Sequence, residues 1–173
     1  MNIIEDSTDL SHLKNLLDEF IIKFNPTELK GMVRQNNGKI YQNEYNKEFI
    51  NADAIIIDEI KRIIKKYLPD NDLHYHFARL NKIEVDTNLN DSFHTDAGTA
   101  NVIFLHYPNS NTYFKGGEFE WLDSDNNSTI IETKISKNLI LIDNPPHRVL
   151  NVTEGERYSF AFFFDKIKIK ELL

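Results

Sequence analysis

A mainly β (α+β) fold is predicted for this chain: a double-stranded β-helix, or jelly roll, with N-terminal helices packed on one sheet. Two observations carry the prediction. Before residue 70, apolar residues recur at helical spacing in two stretches; after it, seven or eight short runs alternate with the period of a strand. Turns rich in Gly, Asn, Asp and Pro separate those runs at intervals typical of a sandwich or barrel.

The first helix is expected from about Thr8 to Lys23, where Leu10, Leu13, Leu16, Leu17, Phe20 and Ile21 form one stripe. Ser7 or Thr8 caps its start, and Asn25-Pro26 stops it. Residues 27–48 are polar and read as a loop with one short strand. The second helix, about Ala52 to Tyr67, turns Ile56, Ile60, Ile63, Ile64 and Tyr67 to one side and ends before Pro69. Strands follow at Leu73–Ile83, Asn101–Tyr107, Glu118–Leu122, Thr129–Ile135, Asn138–Ile142, Arg148–Val152 and Arg157–Phe164. Residues 1–173 are read as a single domain, with a helical part at 1–70 and a jelly-roll core at 71–165.

Composition narrows the function classes. The net charge of −7 argues against a duplex nucleic-acid binder, which carries a basic footprint. There is no cysteine, so disulfides, thiolate metal sites and cysteine nucleophiles are excluded. Met1 to Leu10 has three acidic residues and no basic one, unlike a signal peptide. No apolar run approaches the ~20 residues of a membrane-spanning helix. A cytoplasmic protein without a membrane partner is expected; its oligomeric state is left open.

Any metal must therefore use His, Asp or Glu, and one constellation offers them. On a strand, residues i and i+2 share a face, so His94 and Asp96 in Phe93-His94-Thr95-Asp96 present an imidazole and a carboxylate together. Such a triplet is common by chance. His147, in Asn144-Pro145-Pro146-His147, lies far enough along for intervening strands to return it to that pair. Two histidines and one carboxylate form the facial triad that suits non-haem iron(II) and leaves three positions open. Arg157 follows ten positions later, after a turn expected at Glu154-Gly155, and shares a face with Ser159, Ala161 and Phe163. A guanidinium on an apolar face needs an anion, either a ligand carboxylate or one of the chain's own acids.

Together these residues resemble the 2-oxoglutarate/iron(II)-dependent dioxygenase superfamily and its prolyl-4-hydroxylase-like branch. The family pattern is H-x-D, a distal His, then a basic residue about ten positions on, often followed by x-Ser. Here it reads His94-Thr95-Asp96, His147 and Arg157-Tyr158-Ser159. Gly116-Gly117-Glu118-Phe119-Glu120-Trp121 resembles the family's Gly-Gly-x-x-x-aromatic stretch, which implies that Phe119 walls the co-substrate pocket. The likeness spans about Leu73 to Phe164. It implies an Fe(II) enzyme that hydroxylates a C–H bond while 2-oxoglutarate and O2 become succinate and CO2, with ascorbate as a candidate reductant. His94, Asp96 and His147 are then the metal ligands and catalytic centre, and Arg157 and Ser159 bind 2-oxoglutarate.

The chain departs from that pattern in places. Many prolyl hydroxylases have Lys where Arg157 stands. The Tyr that often reaches the co-substrate from the strand before H-x-D is missing from Phe77-Ala78-Arg79-Leu80-Asn81; His106 or Tyr107 is the alternative source of a polar contact. Asp96 separates the chain from halogenating relatives, and Ser159 to Phe164 lacks the further Arg of nucleic-acid demethylases. Phe93, Phe104, Phe119, Trp121 and Phe163 are candidates for an apolar shell, with ordinary core the preferred reading for most. His12, His74, His76 and His106 are not expected as ligands. The loops at 86–93 and 108–115 are expected to set specificity for a small-molecule or peptidyl substrate. The competing reading is a cupin-like metal-binding jelly roll without 2-oxoglutarate chemistry, from which Arg157-Tyr158-Ser159 separates this chain.

Overall fold

The computed structural model describes residues 2–13, 30–31, 34–36, 39–41, 44–49, 54–85, 92–96, 100–108, 113–133 and 137–168. Strand β1 (Ile3–Asp6) is followed by a 3-10 turn at Ser11–Leu13. The strands β2 (Lys30–Gly31), β3 (Arg34–Asn36), β4 (Lys39–Tyr41) and β5 (Glu44–Phe49) precede helix α1 (Ala54–Lys65). The core strands are β6 (Asn71–Glu84), β7 (Val102–His106), β8 (Phe114–Gly116), β9 (Phe119–Leu122), β10 (Ser128–Ile131), β11 (Asn138–Ile142), β12 (His147–Val149) and β13 (Val152–Lys168).

Two antiparallel layers result. The large sheet runs β1-β11-β7-β13-β6-β5-β2, with β8 paired to β13, and the small sheet runs β10-β9-β12. One apolar core fills the space between the sheets, where Ile103, Leu139, Leu141 and Phe163 of the large sheet meet Phe119 and Ile131 of the small one. The other face of the large sheet is covered by α1. Ile56, Ile57, Ile60, Ile63 and Ile64 of the helix pack there on Leu80, Phe104, Ile140, Phe162 and Phe164. Burying each isoleucine stabilises the pair of layers by about 1.5–3 kcal/mol. Arg62 pairs with Glu59 at 2.5 Å on the solvent side. No helix among the described residues is long and apolar enough to cross a membrane.

Several expectations change. Most of the predicted first helix, Thr8–Lys23, lies outside the described residues. Its described start is a turn capped by Asp9, whose Oδ1 accepts the Ser11 N–H at 2.8 Å, and not by Ser7 or Thr8. Tyr67, expected on the buried stripe, is 39% exposed and donates its hydroxyl to Asp6 at 2.8 Å. Residues 27–48 are more than a loop with one strand, because β5 adds to β6 and β2 adds to β5 at the sheet edge. Edge strands lack the apolar alternation that would announce them. Glu154-Gly155 is no hairpin turn either. Gly155 (φ 72°) is an irregularity inside β13, where β8 pairs alongside.

Candidate active site

His94, Asp96 and His147 converge, their potential ligand atoms all lying within 4.8 Å of one another. His147 opens β12, which pairs with β9 so that Trp121 stands opposite it. His94 does not lie on a strand as expected. It forms a single antiparallel bridge, donating its N–H to the His147 carbonyl at 3.0 Å and accepting the His147 N–H at 2.8 Å. Pro145 and Pro146 explain why the ladder stops there, since neither has an N–H to donate.

The tautomer of His147 follows from its neighbours. Its Nδ1 lies 2.8 Å from the Pro145 carbonyl. A carbonyl only accepts, so Nδ1 donates to it and Nε2 is the nitrogen left to face the cluster. Nε2 points at Asp96 Oδ2, 3.5 Å away. The Phe119 ring stacks on the imidazole at 5.1 Å and 23°, which fixes its plane. Imidazole nitrogen and carboxylate oxygen on one side of a cavity, with one ring nitrogen already committed to a carbonyl, could hold a divalent metal ion.

The same cavity, about 100 Å³, receives Arg157 and Ser159 from β13 and Asn81 and Ile83 from β6. Arg157 stands opposite Ile83 and Ser159 opposite Asn81, so all four occupy one face of two paired strands. Arg157 is only 2% exposed. Its Nη2 donates to the Tyr107 hydroxyl at 3.2 Å, and its guanidinium carbon sits 4.9 Å from that ring's centre. Among the described residues no carboxylate pairs with it, and its buried Nε has no hydrogen-bond partner. Gly117 makes room for it: a Cβ there would stand 2.6 Å from Arg157 Cδ, and its φ of 70° also disfavours any other residue. The Gly-Gly stretch of the sequence is thus the backbone wall behind the cation.

Of His106 and Tyr107, it is Tyr107 that meets Arg157. Burial holds the Tyr107 phenol above the ordinary 10.0, against the pull of Arg157, so the hydroxyl stays protonated. It accepts from Arg157 and still has a proton to donate. His106 faces elsewhere, bonded to Asn138 at 2.8 Å, and burial lowers its pKa. Of the five shell candidates, Phe119 and Phe163 line the cavity. Phe104 packs under α1, and Phe93 lies against the Arg148 guanidinium at 4.6 Å. His12, His74 and His76 stand apart from the triad; Asp165 binds His76 at 2.7 Å, a carboxylate partner that spacing alone does not reveal. Sequence reasoning passed over Asn144, whose side-chain amide bonds the Asp96 backbone, and Arg79, which reaches the cavity wall. The specificity loop at 86–91 and residues 109–112 lie outside the described residues.

No family model matches the chain, and no curated protein matches it. Solved structures do. A 2OG-Fe(II) oxygenase family oxidoreductase from Burkholderia pseudomallei superimposes with a TM-score of 0.76 at 13% identity, covering 95% of this chain and 85% of that one. A Pseudomonas putida prolyl-4-hydroxylase gives 0.68 at 16% identity, over 95% and 92%. A Trichoplax adhaerens prolyl hydroxylase, solved with a hypoxia inducible factor peptide fragment, gives 0.68 at 12% identity, over 95% and 83%. The chain therefore has the jelly-roll fold shared by 2-oxoglutarate–iron(II) oxygenases and prolyl hydroxylases.

Proposed function

We propose that this chain is an Fe(II)- and 2-oxoglutarate-dependent dioxygenase that hydroxylates a C–H bond, with a peptidyl residue as substrate. One observation supports this reading above the rest: a single cavity joins the His94–Asp96–His147 cluster to a buried guanidinium that has no carboxylate of its own. A metal barrel without 2-oxoglutarate chemistry has no use for that cation, whose burial is costly until an anion arrives. The peptide complex of the Trichoplax structure favours a peptidyl substrate over a free metabolite.

Each residue has a part that its position supports. His94, Asp96 and His147 would hold the iron on one side. Bound there, iron(II) supplies the open positions and the redox chemistry by which O2 and 2-oxoglutarate become CO2, succinate and a substrate hydroxyl. Arg157 would clamp the distal carboxylate of the co-substrate, Tyr107 would donate its remaining proton to the same group, and Ser159 would add a hydroxyl. Leu105, Phe119, Val149, Ala161 and Phe163 form the apolar part of the cavity wall.

Anaerobic titration tests the proposal. With both Fe(II) and 2-oxoglutarate added, a visible metal-to-ligand charge-transfer band should appear, and Asp96→Ala should abolish it. Succinate should then accumulate on admission of air with a proline-containing peptide. Iron binding without any response to 2-oxoglutarate would leave a metal-binding barrel and overturn the dioxygenase reading.

A further inference from the structure

Asp96 is the one member of the triad held by neither a strand nor a backbone bridge, and the structure shows what takes their place. The bridge between His94 and His147 is a hydrogen-bonded rung, since the two residues exchange both backbone bonds. In an antiparallel ladder the next such rung falls two residues on in each direction, which pairs Asp96 with Pro145. That rung cannot form. Pro145 has no N–H, and its carbonyl is turned to His147 Nδ1 at 2.8 Å.

The Asn144 side chain supplies both missing groups. Its Oδ1 accepts the Asp96 N–H at 3.1 Å, and its Nδ2 donates to the Asp96 carbonyl at 2.9 Å. A side-chain amide has the same donor and acceptor as a peptide unit, so it completes the rung in place of the backbone. To present its amide this way the residue sits at φ 45°, beside Asp143 at φ 62°. Asn tolerates that left-handed region better than most residues. Asp143 is pinned in turn, its N–H on the Asn101 carbonyl at 2.7 Å and its carboxylate on Lys166 at 2.6 Å.

We infer that Asn144 is the positioning residue for Asp96, an amide that substitutes for a strand rung and sets the carboxylate against the two imidazoles. This rests on the proposed iron site and deepens it: one proline carbonyl orients His147, and one asparagine amide orients Asp96. The two prolines that end the ladder make the asparagine necessary.

Asn144→Gly is the informative variant, because glycine keeps the left-handed backbone and deletes only the amide. Its Fe(II) affinity, titrated anaerobically, should fall about 10- to 100-fold, as for loss of an outer contact to a metal ligand. The melting temperature of the metal-free protein should stay near wild type. Asn144→Asp keeps the acceptor and loses the donor, so its affinity should lie between the two. With Zn(II), which two imidazoles still bind, Asn144→Gly should cost nothing further in an Asp96→Ala background if it acts through Asp96. Wild-type Fe(II) affinity in Asn144→Gly, or a full additive loss in that background, overturns the inference alone. Failure of the wild-type chain to bind Fe(II) overturns the iron reading and the inference with it.

Discussion

Two buried cations stand back to back on β6 and β13, and they are treated in opposite ways. Lys82 lies on the face away from the cavity and is 5% exposed; it holds Glu84 at 2.6 Å and Glu156 at 2.9 Å. Arg157, which pairs with the neighbouring position on β6, is 2% exposed and meets a phenol instead of a carboxylate. Lys82 brings its own counter-charges and asks nothing of solution. Arg157 faces a cavity whose one described acid, Asp96, belongs to the metal cluster. A structural cation is neutralised within the fold; a binding cation is left for its ligand.

The comparison breaks most sharply at Arg157. Replacing it with methionine should weaken 2-oxoglutarate binding roughly 100-fold or more, since at least two charge-assisted hydrogen bonds go. Thermal stability should hardly move, because an apolar side chain of similar length removes a buried charge that no carboxylate among the described residues neutralises. Lys82→Met should do the reverse, costing about 1–2 kcal/mol by leaving two half-exposed carboxylates side by side, with co-substrate affinity unchanged. If both variants lose stability equally and neither affects 2-oxoglutarate, Arg157 is structural too. Tyr107→Phe sharpens the picture: affinity for 2-oxoglutarate should drop about 10-fold while Fe(II) binding persists, as measured by calorimetry.

Alkaline pH gives the smallest effect. Burial pulls the Lys82 ammonium down, but its bonds to Glu84 and Glu156 more than reverse this and hold it above its ordinary 10.5. A group raised in the folded state contributes its full stability below the unfolded value and loses it as pH rises through the folded one. Denaturant melts should therefore show a Lys82-dependent loss only above about pH 10.5 that Lys82→Met lacks.

The convergence of the site residues was more legible than its scaffolding. His94, Asp96, His147 and Arg157 could be picked out by residue type and order, and they line one cavity. What depends on register stayed hidden. His106 and Tyr107 point to opposite faces, and only the pairing of β7 with β13 shows which one meets Arg157. Asn144 matters only once His94 is known to bridge His147. The unity of β13 was masked because Gly155 reads locally as a turn, whereas pairing with β8 carries the strand through it.

The pairing of β1 with β11 has a consequence for when the molecule can assemble. Asn138 of β11 bonds Asp6 of β1 across 132 residues of chain. At about 5–20 residues per second a ribosome takes roughly 7–26 s to make that span. Throughout that time β1 emerges as an edge with no partner. β13, which carries Arg157 and lies between β6 and β7, is made later still. The central seam of the large sheet therefore closes only after β13 has been made, as expected for a topology built on distant contacts. Chains cut short before β13 would present an unfinished sheet to chaperones and proteases.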